Sequence, residues 1–287
     1  PGVVKVRTLM IPALFGVSVG QINLLLDTFI ASFLVTGSIS WLYYSDRLLE
    51  FPLGLFGIAI ATVILPTLSR NHVGKDELGF SGNMDWAVRM VSLLGIPAAA
   101  GLGFLAELIL SVIFQRGAFT AETARMASYS LMAYAFGLLS FMLVKVLAPG
   151  YYSRQDTKTP VKIGIWCMAA NMLFNLIFAI PYGYVGLAIA TSLSATLNAA
   201  LLYIGLSRQK VYVVSRLTLG FVARVMFSTC AMVAAILWMQ QGVDFTDLAL
   251  RDKIVSLTLT ILLAVAVFGG CLFSFGIRMR HFKSKAF

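Results

Sequence analysis

The sequence predicts an all-α integral membrane protein, a polytopic bundle of about eight transmembrane helices with both termini cytoplasmic. Composition is the first reason. Hydrophobic residues make up 59% of the 287 residues and charged residues only 12%, with a mean hydropathy of +0.89, whereas soluble domains carry about 25% charged residues. The second reason is the apolar runs, since a membrane-crossing helix needs about 20 mostly apolar residues.

Eight such runs follow one another along the chain, separated by short polar connections. The predicted spans are residues 9–35, 42–69, 86–113, 124–148, 161–180, 184–206, 217–240 and 254–277. The connections contain helix-breaking residues, such as Pro181-Tyr182-Gly183 between the fifth and sixth spans. They leave no room for an extramembrane catalytic domain, and no catalytic or nucleotide-binding motif is present, so the protein is not expected to be an enzyme.

Basic residues set the predicted orientation. Lys and Arg concentrate on the side that holds the N-terminus and in a dense tail at 278–285, whereas the opposite side carries only Arg116, Arg125, Arg251 and Lys253. Cytoplasmic loops carry such an excess of positive charge. The net charge of +10 is therefore assigned to the headgroups of the phospholipid bilayer and not to nucleic acid.

The cysteine spacing and the start of the chain bear on disulfides, cofactors and the extent of the protein. Cys167, Cys230 and Cys271 lie singly in apolar runs, without paired or metal-binding spacing, so neither a disulfide nor a cofactor is expected. The chain starts at Pro1 without an initiator Met or signal peptide, so we expect one part of a longer protein.

The densest polar feature is a charged group at the start of the second span. Asp46 and Glu50 lie one helical turn apart, and Arg47 is three residues from Glu50, so the three side chains share one side of a helix. Two interpretations stay open on spacing alone. Either the group is a solvated helix start, or it lines a hydrophilic cavity in which the planar fork of Arg47 binds the oxygens of an anion.

A second polar feature centres on Asp27, in the middle of the first span with no basic residue within two turns. A carboxylate there must be protonated, paired across helices or bound to a cation. Asn171 and Asn175 lie one turn apart in the fifth span, and Thr191 lies in the sixth. Oxygens of these types suit a hard cation such as Na⁺, although Asn and Thr also hydrogen-bond between membrane helices as plain packing.

Two longer stretches resemble a known family. They are residues 46–62, DRLLEFPLGLFGIAIAT, running into LPTLS at 65–69, and residues 148–160, APGYYSRQDTKTP. Both are similar to sequences of the MurJ/MviN family of lipid II flippases in the MOP exporter superfamily, especially those of enterobacteria, and the likeness extends over the whole chain.

The resemblance implies a fold of fourteen helices in two six-helix lobes plus an additional pair. Residues 1–210 would be the C-terminal lobe, residues 211–287 the additional pair with its basic tail, and the N-terminal lobe would be a missing partner. The implied function is movement of lipid II, an undecaprenyl-pyrophosphate-linked peptidoglycan precursor, from the inner to the outer leaflet of the bacterial inner membrane by alternating access.

The resemblance also implies site residues. Arg47 corresponds to a cavity arginine that engages pyrophosphate, with Asp46 and Glu50 as its acidic neighbours. Asp27, Asn171, Asn175 and Thr191, together with the carbonyl of Leu187, correspond to a sodium site, and Na⁺ or the membrane potential would supply energy.

Three other functions remain as alternatives. They are export of a different lipid-linked oligosaccharide or a drug, a membrane-embedded glycosyl or phosphoglycosyl transferase, and a non-transporting scaffold of the cell-wall machinery. The transferase would need acidic groups for metal or acid–base chemistry together with a sizeable loop, and the scaffold would have no use for a carboxylate in the middle of a span.

Overall fold

In the computed structural model, residues 21–241 and 249–276 are described, and every regular element in them is a helix. The helices are α1 (Gln21–Ala31), α2 (Ser38–Pro52), α3 (Ala59–Val73), α4 (Glu77–Phe104), α5 (Ala106–Phe114), α6 (Ala121–Tyr152), α7 (Lys158–Arg208), α8 (Arg216–Gln240) and α9 (Leu250–Ser274). A π-helical turn, Leu53–Ile58, joins α2 to α3 without a break. The predicted all-α membrane bundle is confirmed.

Six of these helical segments are long and apolar enough to cross a membrane, with α2 and α3 counted as one. The fifth and sixth predicted spans both lie in α7, which reverses direction at Gly183. Of the first predicted span, residues 21–35 are described and 21–31 are helical. Its residues 9–20 lie outside the described chain, as do Lys5, Arg7 and the basic tail.

The reversal of α7 rests on one backbone conformation. Gly183 has φ 56° and ψ −132°, which side chains with a Cβ rarely adopt. Beyond it the two limbs run side by side, because Ser194 Oγ donates to the Cys167 carbonyl oxygen at 2.7 Å. In a straight helix residues this far apart in sequence would be about 40 Å apart. The predicted connection at Pro181-Tyr182-Gly183 is therefore a hairpin turn.

Several helix limits differ from the predicted span limits. The third span was predicted at 86–113, but α4 begins at Glu77 and the helix is interrupted at Leu105, with φ −104° and ψ 11°. The early start follows from the cap, since the Asp76 carboxylate accepts from the Gly79 N–H at 2.8 Å. The first span was predicted to reach residue 35, but α1 ends at Ala31. Hydropathy marks the lipid-facing part of a helix, and capping decides where the helix ends.

Helix α6 lies at the centre of the bundle and contacts α2, α4 and α7. The Ser45 hydroxyl donates to the Ala127 carbonyl oxygen at 2.7 Å, and the Ser192 hydroxyl donates to that of Ala133 at 2.7 Å. A Cβ at Gly137 would meet Ser192 at 2.7 Å, so the backbones of α6 and α7 are in close contact at this point. Small residues and interhelical hydrogen bonds of this kind hold membrane helices together.

The outer surface is apolar. Large side chains that a soluble protein would bury are exposed around the bundle, among them Phe29, Phe33, Trp166, Leu176, Ile180, Leu217, Phe227, Val265 and Phe273. A surface of this extent is covered by lipid tails in a membrane.

A buried hydrogen bond connects the α7–α8 linker to α4. Tyr212 is 1% exposed and its hydroxyl donates to the Asp85 carboxylate at 2.9 Å, while the Ser215 N–H donates to the same oxygen at 3.3 Å. Burial, and then the negative charge of Asp85, raise the pKa of Tyr212 well above its usual range, so the phenol keeps the proton it donates. This contact fixes where α8 starts relative to α4.

We predict that Gly183→Ala lowers the thermal stability of the protein in detergent by about 1–3 kcal/mol, because the backbone conformation at this position is strained for any residue with a Cβ. No atom lies within 4 Å of a Cβ built there, so the effect comes from the backbone alone. Gly164→Ala is the matched control in the same helix, since a Cβ there also meets nothing and its φ is ordinary. Equal melting temperatures for the two variants would contradict the assignment of the turn.

Candidate functional site

Arg47 lies on an exposed face in the second half of α2. It follows Ser38, the first residue of α2, by about 14 Å along the helix axis at 1.5 Å per residue. The helix continues past it without a break into the π-helical turn Leu53–Ile58, a form that often marks functional sites in membrane and soluble helices. Arg47 is therefore not at the first turn of its helix, and its side chain is exposed.

The charged group of α2 forms the geometry expected from its spacing. Arg47 Nη1 donates to Glu50 Oε2 at 2.6 Å, and Arg47 Nη2 lies 3.7 Å from Asp46 Oδ2. The guanidinium carbon is 5.1 Å from the centroid of the Tyr43 ring. Side-chain exposures of 45% for Arg47 and 51% for Glu50 leave the guanidinium open to a ligand while its neighbours hold its position.

The four polar side chains named for the second site come together around Asp27. Asn175 Nδ2 donates to Asp27 Oδ1 at 2.6 Å and to Asn171 Oδ1 at 3.1 Å. Thr191 Oγ1 lies 3.4 Å from Asp27 Oδ2, and Asn171 Nδ2 lies 3.4 Å from Thr191 Oγ1. The reversal at Gly183 makes this cluster, because it sets Thr191 beside Asn171.

The Leu187 carbonyl oxygen is connected to the cluster by a hydrogen bond from the Thr191 hydroxyl. Thr191 Oγ1 lies 3.0 Å from the Leu187 carbonyl oxygen and 3.4 Å from Asp27 Oδ2. A hydroxyl has one proton, so it donates to one of these oxygens at a time and presents a lone pair on its other side.

Sequence reasoning missed Asn23, one turn before Asp27. Its Nδ2 donates to Asp27 Oδ2 at 3.3 Å, and its spacing of four residues was the available signal. The Oδ1 atoms of Asn23 and Asn175 are buried and receive no hydrogen bond. Buried oxygens without donors are costly, and beside a carboxylate they are the ligands a hard cation accepts.

A cavity of about 390 Å³ with mixed polar and apolar walls adjoins this cluster. Its polar lining includes Asn23, Asn171, Thr191, Lys145 and Asn198. Asn198 lies in the cavity wall and has no hydrogen bond to Asp27.

An apolar groove of about 480 Å³ runs between α4, α8 and α9. Its walls include Pro97 and Gly101 of α4, Ile236 of α8, and Ala264 and Phe268 of α9. The small residues Gly101 and Ala264 give it width, and almost no polar atom faces it. Such a groove suits a hydrocarbon chain.

Clusters of acidic, histidine and cysteine side chains suited to a transition metal are absent from residues 21–241 and 249–276. The oxygen-rich group around Asp27 is a different kind of site, built from one carboxylate with amides and a hydroxyl.

Comparison with known proteins decides the family. Residues 1–249 match the family model described as lipid II flippase MurJ. The chain belongs to the lipid II flippase MurJ family. The likeness of residues 46–69 and 148–160 to that family, noted from the sequence, is thereby confirmed.

Curated relatives agree with this assignment. The chain is 60% identical over 285 residues to a probable lipid II flippase MurJ of Vibrio cholerae, covering 99% of this chain and 54% of that protein. It is 56% identical to the corresponding protein of Haemophilus influenzae, covering 99% of this chain and 57% of that protein. The chain thus spans about half the length of the curated relatives it matches.

Solved structures give the same fold. A lipid II flippase MurJ in an inward closed conformation superposes with a TM-score of 0.77 at 25% identity, covering 93% of this chain and 54% of that one. A MATE transporter in a bent conformation superposes with a TM-score of 0.60 at 17% identity, covering 94% of this chain and 65% of that one, and shows the shared fold alone. The chain is a multi-pass protein of the bacterial inner membrane.

The MurJ-family motif at 148–160 forms a helix end and the next helix start. The buried Tyr151 hydroxyl donates to the Leu202 carbonyl oxygen at 2.8 Å, and Arg154 Nη1 donates to Gln209 Oε1 at 2.7 Å. Asp156 Oδ1 accepts from the Thr159 N–H at 3.0 Å, which caps α7. The motif therefore joins the ends of α6 and α7.

We predict that Asn175→Ala destabilises the protein by about 1–3 kcal/mol, because it removes a 2.6 Å hydrogen bond to a carboxylate inside the bundle. Thermal unfolding in sodium-free buffer measures the effect. Asn198→Ala is the control, since Asn198 lines the neighbouring cavity without a hydrogen bond to Asp27. A loss no larger than that of the control would show that Asn175 does not stabilise the Asp27 cluster.

Proposed function

We propose that this chain is the C-terminal half of a lipid II flippase, which moves the lipid-linked peptidoglycan precursor from the cytoplasmic to the periplasmic leaflet. One observation carries the proposal, namely the accessible guanidinium of Arg47, held between Asp46 and Glu50 on an exposed face of α2 in a MurJ-family chain. The names of the relatives, lipid II flippase and probable lipid II flippase, support the choice of substrate.

The proposed role of Arg47 is to bind the pyrophosphate. A guanidinium presents paired donors that match two phosphate oxygens, and it keeps its charge at any physiological pH. The 2.6 Å contact with Glu50 occupies one edge of the fork and leaves the rest of the guanidinium accessible. Glu50 and Asp46 then fix the direction of the fork and offset its charge while no substrate is bound.

The proposed division into two units implies a binding site for the lipid tail. Residues 1–210 form a six-helix lobe, and residues 211–287 add the helix pair that contains α8 and α9. The apolar groove between α4 and this pair would hold part of the undecaprenyl chain. The polar head would then cross beside Arg47 while the tail stays in an apolar environment, which avoids moving hydrocarbon through water.

The partner of this lobe in the proposal is an N-terminal lobe, consistent with relatives about twice as long as this chain. Rocking of two lobes about a central cavity exposes a site to one leaflet and then to the other. The membrane potential acts on charges that move with the cavity, at about 2.3 kcal/mol per charge per 100 mV.

We propose further that the Asp27 cluster binds Na⁺, with oxygens from Asp27, Asn171, Asn175, Thr191 and the Leu187 carbonyl. The buried Oδ1 atoms of Asn175 and Asn23, which receive no hydrogen bond, support this assignment. A cation there would join α1 to both limbs of α7, so its presence would favour one arrangement of the three. The proposed activity is transport without a catalytic step.

We predict that Arg47→Ala in the full-length protein reduces lipid II translocation at least tenfold, because the pyrophosphate loses its paired donors. Arg47→Lys should restore only part of the rate, since an ammonium keeps the charge without the fork. Translocation is measured in vesicles by accessibility of the precursor headgroup at the outer leaflet.

Lys162→Ala is the control for this experiment. Lys162 is an exposed cation near the start of α7, remote in sequence from the charged group of α2. Lys162→Ala removes one positive charge, as Arg47→Ala does, and should leave the translocation rate unchanged. Normal translocation by Arg47→Ala would exclude the pyrophosphate role.

We predict that sodium raises the melting temperature of the wild type relative to choline at equal ionic strength, and that Asp27→Asn abolishes the difference. Asparagine keeps the size of the side chain but removes the charge that a cation requires. Asn198→Ala should retain the full sodium response. A response in Asp27→Asn as large as that of the wild type would remove Asp27 from the cation site.

A further inference from the structure

A second polar cavity lies far from Arg47, where the ends of several helices meet. It measures about 320 Å³ and is bounded by the turn between α3 and α4 and by the ends of α6 and α7. Lys75, Arg154 and Lys210 line it, and we call it the basic pocket. It opens on the side that the distribution of Lys and Arg predicts to be cytoplasmic.

The positive charges of the basic pocket are not neutralised by ion pairs. Over the described residues, both ion pairs within 4 Å belong to Arg47, and none involves Lys75, Arg154 or Lys210. Arg154 is instead held by a neutral group, with its Nη1 donating to Gln209 Oε1 at 2.7 Å. The guanidinium is thereby positioned while its charge stays available.

Two carboxylates also line the pocket and limit the ligands it can take. Asp76 is already engaged, because its side chain accepts from the Gly79 N–H and caps α4. Glu77 lies in the first turn of the same helix. Three cations against two carboxylates leave the pocket positive, and His72 adds a further donor at its rim.

The backbone places both lysines at unusual positions. Lys75 follows α3 with φ 54° and Lys210 follows α7 with φ 56°, the left-handed conformation that glycine usually supplies at a helix end. A residue with a Cβ is disfavoured there. Lysine at both positions directs an ammonium group toward one cavity at the expense of local stability, as is typical of functional sites.

One of the residues that line the pocket has a donor without an acceptor. Asn71 Nδ2 is buried and makes no hydrogen bond. The N-terminus of α4 also lies at the pocket, and there the Asp76 carboxylate already accepts from the Gly79 N–H. The donors left for a phosphate are the ammonium groups and the guanidinium fork.

We propose that the basic pocket binds a phosphate group at the predicted cytoplasmic surface. Two sources present this chemistry, the headgroup of an anionic phospholipid and a soluble phosphate compound. The pocket is separate from the site proposed for lipid II, and its occupation would connect the ends of α3, α4, α6 and α7 through one anion.

The test uses the full-length protein and a variant chosen to keep the fold. Lys75→Gly combined with Lys210→Gly removes both ammonium groups and supplies the residue that the left-handed conformation favours. Without phosphate, this double variant should melt no lower than the wild type. Gln155→Gly is the matched control, because Gln155 has the same conformation, φ 62°, and does not line the pocket.

Two arms separate the sources of phosphate. In detergent, melting temperatures are measured against inorganic phosphate, with sodium chloride at equal ionic strength as reference. In nanodiscs, they are measured in phosphatidylcholine alone and with added phosphatidylglycerol. We expect the wild type and Gln155→Gly to be stabilised in at least one arm, and the double variant to need at least tenfold more of that ligand.

Each outcome decides. Stabilisation by inorganic phosphate alone identifies a soluble ligand, and stabilisation by phosphatidylglycerol alone identifies a lipid headgroup. No stabilisation of the wild type in either arm, or an equal response in the double variant, overturns the proposal.

Discussion

Lipid offers no hydrogen bonds, and this constraint shapes the whole bundle. Every backbone polar group inside the membrane must be satisfied within the protein, and every regular element of the described residues is accordingly a helix. The same constraint acts on side chains. Asp27 finds its donors on its own helix at Asn23 and on both limbs of α7 at Asn175 and Thr191, so one carboxylate ties three segments together.

The two polar sites differ in their exposure to solvent. Asn171 and Asn175 are almost inaccessible and Asp27 and Thr191 are partly buried, which suits a small ion that has lost most of its water. Arg47 is half exposed on a helix that passes directly into a π-helical turn, which suits a large headgroup. The contrast follows from packing, since α1 and α7 enclose Asp27 while the charged face of α2 stays open.

Much of the candidate site was predictable from spacing. Arg47 and Glu50, three residues apart, and Asn171 and Asn175, four apart, had to share helix faces, and both pairs are in contact. The part played by Asn23 was not predicted, although its spacing from Asp27 was available. The basic pocket could not be predicted at all, because Lys75, Arg154 and Lys210 are distant in sequence and meet only where their helices end.

The sequence by itself determined the class of protein and the family, because hydropathy and two motifs are local properties of the chain. It also located the turn at Gly183, through the helix-breaking residues around it. Tertiary structure alone decided where each helix ends, since capping by Asp76 and the interruption at Leu105 depend on single side chains and backbone angles. It alone decided which polar groups meet, because contacts between α1 and the two limbs of α7 depend on how the helices pack.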